Sequence, residues 1–367
     1  MSATLTAMPG VPANTPTAAR AGRALWLSLA AGVAVLVLAL CATFWGAADL
    51  SAGAVWQALS GALNNGSGSG DGNGSGATIV WQLRLPRVVL AIVVGMHFAV
   101  SGMLLQSALR NPLADPGVLG ISSGATLAVM LFLLFNVFLG AADSSRLDAY
   151  PVAWLPAVAQ CGGIATALLV YGLSWRGGAA PARLVLFGVA VGATLQALAM
   201  GILAGWGSAR VEFVLSWLAG SLYGKDWQHL YPLLPWSVLG ALALPLVLRP
   251  MGVLALGDDG ARSLGLAAEA WRFALVALAA SLAASAVAVT GPVGFLGLLV
   301  PHMAKKLVGG PPGRQLPLVL LLGAGVALAA DLLGRLLIVP DEVPVGAVTA
   351  LLGAPFFLYL MAQRRNS

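Results

Sequence analysis

The amino-acid sequence predicts an all-α polytopic membrane protein with about ten transmembrane helices, and three observations support this prediction. Hydrophobic residues make up 59% of the 367 positions and charged residues only 9%, whereas a soluble domain carries about 25% charged residues. The mean hydropathy is high, at +0.91. Apolar runs recur along the chain, each near the roughly 20 residues with which a helix spans a bilayer. They are too continuously apolar for the alternating strands of a membrane barrel.

Ten apolar runs are predicted to form the membrane helices. They cover residues 24–45, 88–109, 117–139, 152–174, 184–204, 231–248, 273–290, 294–303, 316–337 and 345–362. The eighth run is too short to cross the bilayer alone, and the Gly-Pro-Val-Gly segment at 291–294 predicts that it starts with irregular backbone. Such backbone at membrane depth must be surrounded by protein or water.

The segments outside these runs are predicted from their composition. Residues 1–20 are rich in Ala, Thr and Pro, which predicts a disordered N-terminus ahead of a membrane domain at 21–367. The first apolar run exceeds the core of about 7–15 residues in a cleavable signal peptide, so we expect a retained anchor. Gly alternates with Ser, Asn and Asp at 64–76, which predicts a flexible loop on the far side. Three tryptophans within 206–230 predict a short helix and turn at the outer interface.

The placement of Lys and Arg predicts the orientation. If the N-terminus lies in the cytoplasm and the runs alternate, 13 of the 19 basic residues fall on the cytoplasmic side. This asymmetry agrees with the positive-inside rule and places both termini in the cytoplasm. The net charge of +6 is then a consequence of topology in a lipid-embedded chain, and it needs no nucleic-acid partner.

The sequence contains no recognisable catalytic, metal or cofactor site. His97, His229 and His302 are far apart and lack the spacing of metal ligands. Cys41 and Cys161 lie in apolar runs, which predicts small packed residues and no disulfide. The chain has no Gly-x-x-x-x-Gly-Lys-Ser/Thr motif, so we do not expect it to hydrolyse ATP.

An ion-coupled carrier is the alternative from a different functional class. Such carriers place acidic residues near the membrane midplane, whereas Asp331 is the only acid well inside a predicted span, near its outer end. Asp115 lies between the second and third runs, where it is predicted to cap a helix that starts near Gly117. This alternative is therefore less well supported, but it stays open.

The segment 83–125 has the most informative pattern. It contains LRLPR at 83–87, SG at 101–102, LQ at 105–106, RNPLADP at 110–116 and LGISSGA at 119–125. Pro112 and Pro116 forbid a continuous helix. The spacing of Gly120 and Gly124 allows close approach of helices.

This segment resembles the FecCD-type permeases of ABC importers for iron–siderophore complexes, haem and cobalamin. Further matches follow in the family's order: WLAGSL at 217–222, LALG at 254–257, AR at 261–262, LGL at 264–266, GPVGFLGL at 291–298, PH at 301–302, AD at 330–331 with Arg335, EVPVG at 342–346 and LGAP at 352–355. The resemblance covers nearly the whole chain after residue 80 and includes several independent motifs.

The resemblance implies the fold and the partners. It implies the type II ABC importer fold of cobalamin-importer permeases, with ten-helix subunits that pair as homodimers in the bacterial inner membrane. The chain itself would not be an enzyme, because a pair of separate cytoplasmic ATPase subunits would supply the energy. A periplasmic binding protein would deliver the cargo. A ferric siderophore is the first choice of cargo, and haem or cobalamin is the alternative.

The resemblance also implies a docking site for the binding protein. Arg84, Arg87 and Arg335 match outer arginines that receive acidic residues of that protein in the family. The predicted orientation places all three outside, against the positive-inside bias, and arginine suits carboxylate pairing. Anchoring at the membrane interface is the alternative interpretation.

The cytoplasmic loop at 250–271 resembles the coupling helices that insert into a cleft on the ATPase. Its predicted contact residues are Gly257, Asp258, Asp259, Ala261, Arg262, Ser263, Leu264 and Gly265. Asp258 is predicted to cap a short helix and Gly265 to end it. An ordinary solvated loop helix is the alternative.

The resemblance further implies that the fifth run, 184–204, lines the translocation path. The candidate path residues are Leu184, Gly192, Gln196, His97 and Gln106. His97 stands where we expect a small or aliphatic residue, and an ionisable residue within a span is a functional candidate. Packing inside the bundle is its other interpretation. His302 is predicted to be structural at the cytoplasmic end of the eighth run.

Overall fold

The computed structural model describes residues 17–46, 50–65, 74–135, 154–176, 178–206, 215, 217–338 and 341–365. Within these ranges the regular structure is helical, apart from an isolated bridge between Trp175 and Ala179. The predictions for residues 1–16 and for most of the Gly/Ser loop lie outside the described residues. Residues 17–20, predicted to be disordered, are helical because the first helix begins at Thr17.

The helices are numbered α1 to α13 in chain order. They are α1 Thr17–Phe44, α2 Ala52–Asn65, α3 Gly74–Thr78, α4 Leu85–Ala108, α5 Ile121–Leu133, α6 Leu155–Ser174, α7 Pro181–Trp206, α8 Leu234–Leu254, α9 Asp258–Ser263, α10 Ala268–Thr290, α11 Leu296–Val308, α12 Pro312–Leu337 and α13 Val345–Arg365. A π-helical segment, Ile79–Arg84, joins α3 to α4. Short 3-10 turns occur at Pro116–Leu119, Trp227–His229 and Tyr231–Leu233.

Among the described residues, each of the ten predicted runs overlaps one of these helices, but the helices differ in length. Seven described segments are long and apolar enough to cross a membrane: Gly22–Phe44, Gly76–Ala108, Leu155–Ser174, Pro181–Gly205, Trp227–Leu254, Ala268–Thr290 and Pro312–Leu337. Ile121–Leu133 and Val345–Leu358 are shorter apolar helices. The count of ten crossings therefore stays a prediction. The helices α2 and α3 were not foreseen.

The helices α4 and α10 form the centre of the bundle. Both are buried along most of their length, and α4 packs against α10, α11 and α12. Glycines bring the backbones together: a Cβ added at Gly95 would overlap the Gly323 carbonyl of α12. Small residues at helix crossings serve the same purpose in other membrane bundles.

The predicted Gly120–Gly124 spacing also serves close approach. Gly124 of α5 meets Gly162 and Thr166 of α6. Gly120 has a φ of 71°, and a Cβ atom added to it would lie 3.0 Å from the Cα atom of Gly192. The two glycines therefore seat α5 and the turn before it against α6 and α7.

The predicted break before the eighth run is confirmed. Residues 291–294 are not helical, and α11 begins after Phe295, whose φ of 68° is left-handed. Gly291 and Val293 of the break are buried, and the Ser221 amide donates to the carbonyl of Thr290, just before the break, at 2.8 Å.

Candidate functional site

Polar side chains gather at the two ends of α4. The 24 residues of this helix separate the ends by about 36 Å at a rise of 1.5 Å per residue. The Arg87 cluster, at the N-terminal end, comprises Arg84, Arg87, Asp331, Arg335 and Glu342. The Arg272 cluster, at the C-terminal end, comprises Arg110, Asp258, Glu269 and Arg272.

The centre of the Arg87 cluster is the buried carboxylate of Asp331, which two arginines share. Arg87 Nη2 lies 2.8 Å from Asp331 Oδ1, and Arg335 pairs with Asp331 Oδ2. Arg87 Nη2 also lies 2.7 Å from Glu342 Oε2. Two arginines and two carboxylates thus balance each other, and they connect α4, α12 and the segment before α13.

Arg84 and Arg335 also hold the end of α1. Arg84 Nη1 donates to the carbonyls of Thr43 and Phe44, each at 2.9 Å, and Arg335 Nη1 donates to that of Ala42 at 3.1 Å. The last carbonyls of a helix lack partners within it, and basic side chains commonly satisfy them.

The three predicted docking arginines therefore lie together, as expected of one site, but they point inward. Arg84 is 5% and Arg335 2% exposed, while the Arg87 side chain keeps 12%. Their role in docking stays a prediction. Sequence reasoning missed Asp331 and Glu342 as their partners, although both acids lie within the motifs that carried the resemblance.

Three of those motifs meet at a glycine junction, formed by Gly220, Gly291 and Gly346. The Gly346 amide donates to the Gly220 carbonyl at 2.9 Å. A Cβ added at Gly291 would overlap the carbonyl oxygen of Trp217, and one at Gly346 would overlap that of Ala219. The backbones are in direct contact here, which no side chain larger than hydrogen permits.

At the other end of α4, α9 is the short helix that was predicted in the coupling loop. Gly265, with a φ of 78°, ends it, and the Leu266 amide donates to the Ala261 carbonyl at 2.9 Å, as in a Schellman motif. The prediction for Gly265 is confirmed. The prediction that Asp258 caps the helix is wrong, because Gly257 is the N-cap residue and no side-chain cap bond forms.

The two faces of α9 differ. Ala261 is fully buried, whereas Asp259, Arg262, Ser263 and Leu264 are exposed. Leu264, at 65% exposed, is an unusual apolar group on a short polar helix. The outward face is thus available to a partner, and the inward face packs on the bundle.

Asp258 instead faces the Arg272 cluster. Arg272 Nη2 lies 2.5 Å and Arg110 Nη2 lies 3.1 Å from Asp258 Oδ1. Arg272 Nη1 lies 2.7 Å from Glu269 Oε1. The Asp258 carboxylate does not cap α9, since Gly257, with a φ of 96°, is the N-cap residue.

The candidate path residues occupy different environments. His97 is buried, with Nδ1 2.9 Å from Ser285 Oγ and Nε2 2.9 Å from Ser237 Oγ, so both ring nitrogens have partners within the chain. The Gln106 amide donates to the carbonyls of Gly297 and Leu298, each at 3.2 Å. Gln106 also lines a cavity of about 730 Å³ beside α11.

Leu184, Gly192 and Gln196 all lie on α7. Leu184 and Gly192 are buried against their own chain, and Gln196 is half-buried. The opposite face of α7 is apolar and exposed, with Leu186 and Val189 among its residues. Whether this helix lines a path depends on a second subunit, so these assignments stay predictions.

Asp115 caps the turn after α4, as predicted. Its Oδ1 accepts from the Gly117 amide at 2.8 Å. Burial raises the pKa of Asp115 to about 6, and hydrogen bonds from the amides of Gly117 and Leu298 oppose that rise. The carboxyl group thereby joins the turn to the start of α11. Among the described residues, no group of three or more His, Cys, Asp or Glu side chains comes together to hold a metal ion.

Comparison with known proteins identifies similar chains. The model of the FecCD transport family matches residues 34–363. The achromobactin transport system permease protein CbrC of Dickeya dadantii is 42% identical over 290 residues, which are 79% of this chain and 80% of that protein. The Fe(3+) dicitrate transport system permease protein FecD of Escherichia coli is 38% identical, over 78% of this chain and 86% of that protein.

Another relative is named for a different cargo. The cobalamin import system permease protein BtuC of Halobacterium salinarum is 38% identical, over 78% of this chain and 74% of that protein. Among solved structures, an inward-facing metal-chelate type ABC transporter superposes with a TM-score of 0.75 at 25% identity. The superposition covers 92% of this chain and 99% of the other.

Proposed function

Because the chain belongs to the FecCD transport family, we propose that it is the permease subunit of an ABC importer that carries a ferric siderophore from periplasm to cytoplasm. The observation that carries the proposal is the family match over residues 34–363. Two of the three relatives described above are named for achromobactin and ferric dicitrate transport. The third is named for cobalamin import, so a corrinoid is the second candidate, with haem after it.

The proposed assembly contains two copies of this chain, two cytoplasmic ATPase subunits and a periplasmic binding protein. The chain is a multi-pass protein of the bacterial inner membrane with both termini in the cytoplasm. The exposed apolar face of α7 supports pairing with a second copy, since the opposite face already packs on α5 and α6. The path would then run between the two α7 helices, along the exposed face that carries Leu186 and Val189. Gln196 is half-buried and would border it, whereas Leu184 and Gly192 pack against their own chain.

The proposed mechanism involves no chemistry on the cargo. ATP binding in the partner subunits would displace α9 through its exposed outward face. The displacement would open the path alternately to either side. The hydrogen bonds of the buried His97 and the half-buried Gln106 would keep the helices together, so that they move as rigid units.

The Asp331 environment favours this proposal over an ion-coupled carrier. A coupling carboxylate must bind and release its ion during each cycle. Asp331 is instead paired with Arg87 through one carboxylate oxygen and with Arg335 through the other. A carboxylate held in this way suits a structural role.

The proposal predicts ATP-dependent uptake. Proteoliposomes that contain this chain, the ATPase and the binding protein should import one of four labelled cargoes: a ferric siderophore, ferric citrate, cobalamin or haem. We expect uptake to stop when ATP or the ATPase is omitted, because the chain has no P-loop. A matched control uses an ATPase whose P-loop lysine is replaced. Uptake that continues without ATP would contradict the ABC proposal and favour the ion-coupled carrier.

We further propose that the Arg87 cluster receives acidic groups of the binding protein, with Arg87 as the contacting residue. Arg87 keeps 12% of its side chain exposed and already binds Glu342, whose side chain is exposed to the same extent. Arg84 and Arg335 would keep the cluster in place through their bonds to the end of α1 and to Asp331. Charge reversal of these two buried arginines would disrupt folding, so it cannot report on docking.

Docking through Arg87 predicts opposite effects of two variants. Arg87→Gln should weaken binding-protein affinity about tenfold, the effect of losing one charge-assisted hydrogen bond. Glu342→Gln should preserve or raise the affinity, because it frees Arg87 from an internal competitor. Affinity is measured by surface plasmon resonance on the detergent-solubilised assembly. Equal losses in both variants would indicate a purely structural cluster.

A further inference from the structure

Arg272 is a charged side chain in an unexpected place. It lies on the first turns of α10 and is 1% exposed, one of the largest fully buried side chains of the described residues. Burial of a guanidinium group is unfavourable unless its donors are satisfied. The bonds that compensate for the burial of this charge therefore need to be identified.

The guanidinium group joins four segments of the chain. Its Nη2 binds Asp258 of α9, and its Nε donates to the carbonyl of Ala108, the last residue of α4, at 3.3 Å. Its Nη1 binds Glu269 on its own helix and the carbonyl of Ala179, between α6 and α7, at 3.1 Å. The coupling helix thus has a direct polar connection to three membrane helices or their ends.

Two further contacts strengthen this connection. Glu269 Oε2 accepts from the Ala179 amide at 3.0 Å, so Arg272 and Glu269 grip the same residue. Arg110, which follows α4, also binds Asp258. The planar fork of arginine makes such a divergent set of bonds, whereas the single ammonium group of lysine does not.

We infer that Arg272 is a positioning residue that transmits the displacement of α9 to the end of α4 and to the turn before α7. This inference rests on the proposed function, since it assumes that a partner acts on the outward face of α9. The inward face carries Asp258, and Asp258 holds Arg272. Any movement of α9 must therefore pull on α4 and α7 together or break these bonds.

The test measures cargo imported per ATP hydrolysed, in proteoliposomes that contain the full importer. Arg272→Lys keeps the charge but loses the fork, and Asp258→Asn removes the link from a half-exposed position that tolerates the change. Asp258→Glu is the conservative variant. Arg176→Gln is the matched control, since Arg176 is an exposed arginine at the same end of the bundle.

We expect Arg272→Lys to co-purify with the ATPase at the wild-type ratio and to hydrolyse ATP. Asp258 belongs to the predicted ATPase contact loop, so the result for Asp258→Asn is expressed per ATP hydrolysed by the ATPase that remains bound. The cargo per ATP of both variants should fall about tenfold, as for the loss of one charge-assisted bond. Asp258→Glu should restore most of it, and Arg176→Gln should match the wild type.

Two results would overturn the inference while the proposed function stands. One is an unchanged cargo-to-ATP ratio in both variants. The other is a loss of uptake that only parallels the loss of bound ATPase, which indicates a docking or folding role. Wild-type uptake that needs neither ATP nor the ATPase would instead overturn the proposed function, and this inference with it.

Discussion

Asp331→Ala is expected to lower the free energy of unfolding by about 3–5 kcal/mol, the cost of removing one partner from a buried ion pair. The carboxylate is shared by Arg87 and Arg335, and its side chain is 1% exposed. Its removal would leave Arg335 buried with no counter-charge from α12. The end of α1 would also lose support, because Arg335 donates a hydrogen bond to the Ala42 carbonyl.

This prediction is checked by thermal unfolding of the purified chain in detergent. Asp341→Ala is the matched control, since Asp341 is an exposed acid close to the same cluster and should change stability by no more than about 0.5 kcal/mol. Glu342→Ala should fall between the two, because Arg87 keeps Asp331. A melting temperature of Asp331→Ala equal to that of the control would show that the buried network contributes nothing to stability.

Gly291→Ala is expected to abolish accumulation of folded protein. The new Cβ would approach the Trp217 carbonyl oxygen closer than the 3.0 Å that real Cβ atoms keep, and the φ of 77° is one that only glycine adopts freely. This backbone conformation, with a φ of 77° and a ψ of -175°, costs a non-glycine residue about 1–3 kcal/mol by itself. The clash adds to it, because the oxygen belongs to backbone that Gly220 and Gly346 hold in place.

Gly294→Ala is the control from the same motif. An added Cβ at Gly294 meets nothing within 4 Å, and its backbone is not in the left-handed region. Membrane yield and monodispersity after detergent extraction measure the outcome. Comparable yields of the two variants would contradict the close contact of the three motifs.

The largest part of the fold was predictable because hydropathy is a local property. Within the described residues each predicted apolar run overlaps a helix, and the Gly-Pro-Val-Gly break before α11 was predicted from residues that resist helix formation. The amphipathic α2 was missed because its polar residues shorten the apolar run below the length of a membrane helix. The number of crossings was harder to predict, since α11 has only 13 residues and the third predicted run extends beyond the described residues.

The site was predictable as a set of residues but not as a set of contacts. The motifs pointed to Arg84, Arg87 and Arg335, and to the loop that contains α9. The direction of each side chain depended on partners far along the chain, such as Asp331, which stands 244 positions from Arg87. Asp258 is a second example. Its position before a short helix predicted a cap, but its carboxylate pairs with Arg272, 14 positions further along the chain.

The amino-acid sequence by itself determined that this protein is a helical membrane protein, that it lacks its own ATP-binding loop, and that its motifs are those of one permease family. These properties follow from composition, spacing and order along the chain. Only the tertiary structure decided that Arg84, Arg87 and Arg335 turn inward, that three glycine motifs share one junction, and that Arg272 joins α9 to the bundle. The physical reason is that burial and ion pairing depend on which segments fold together.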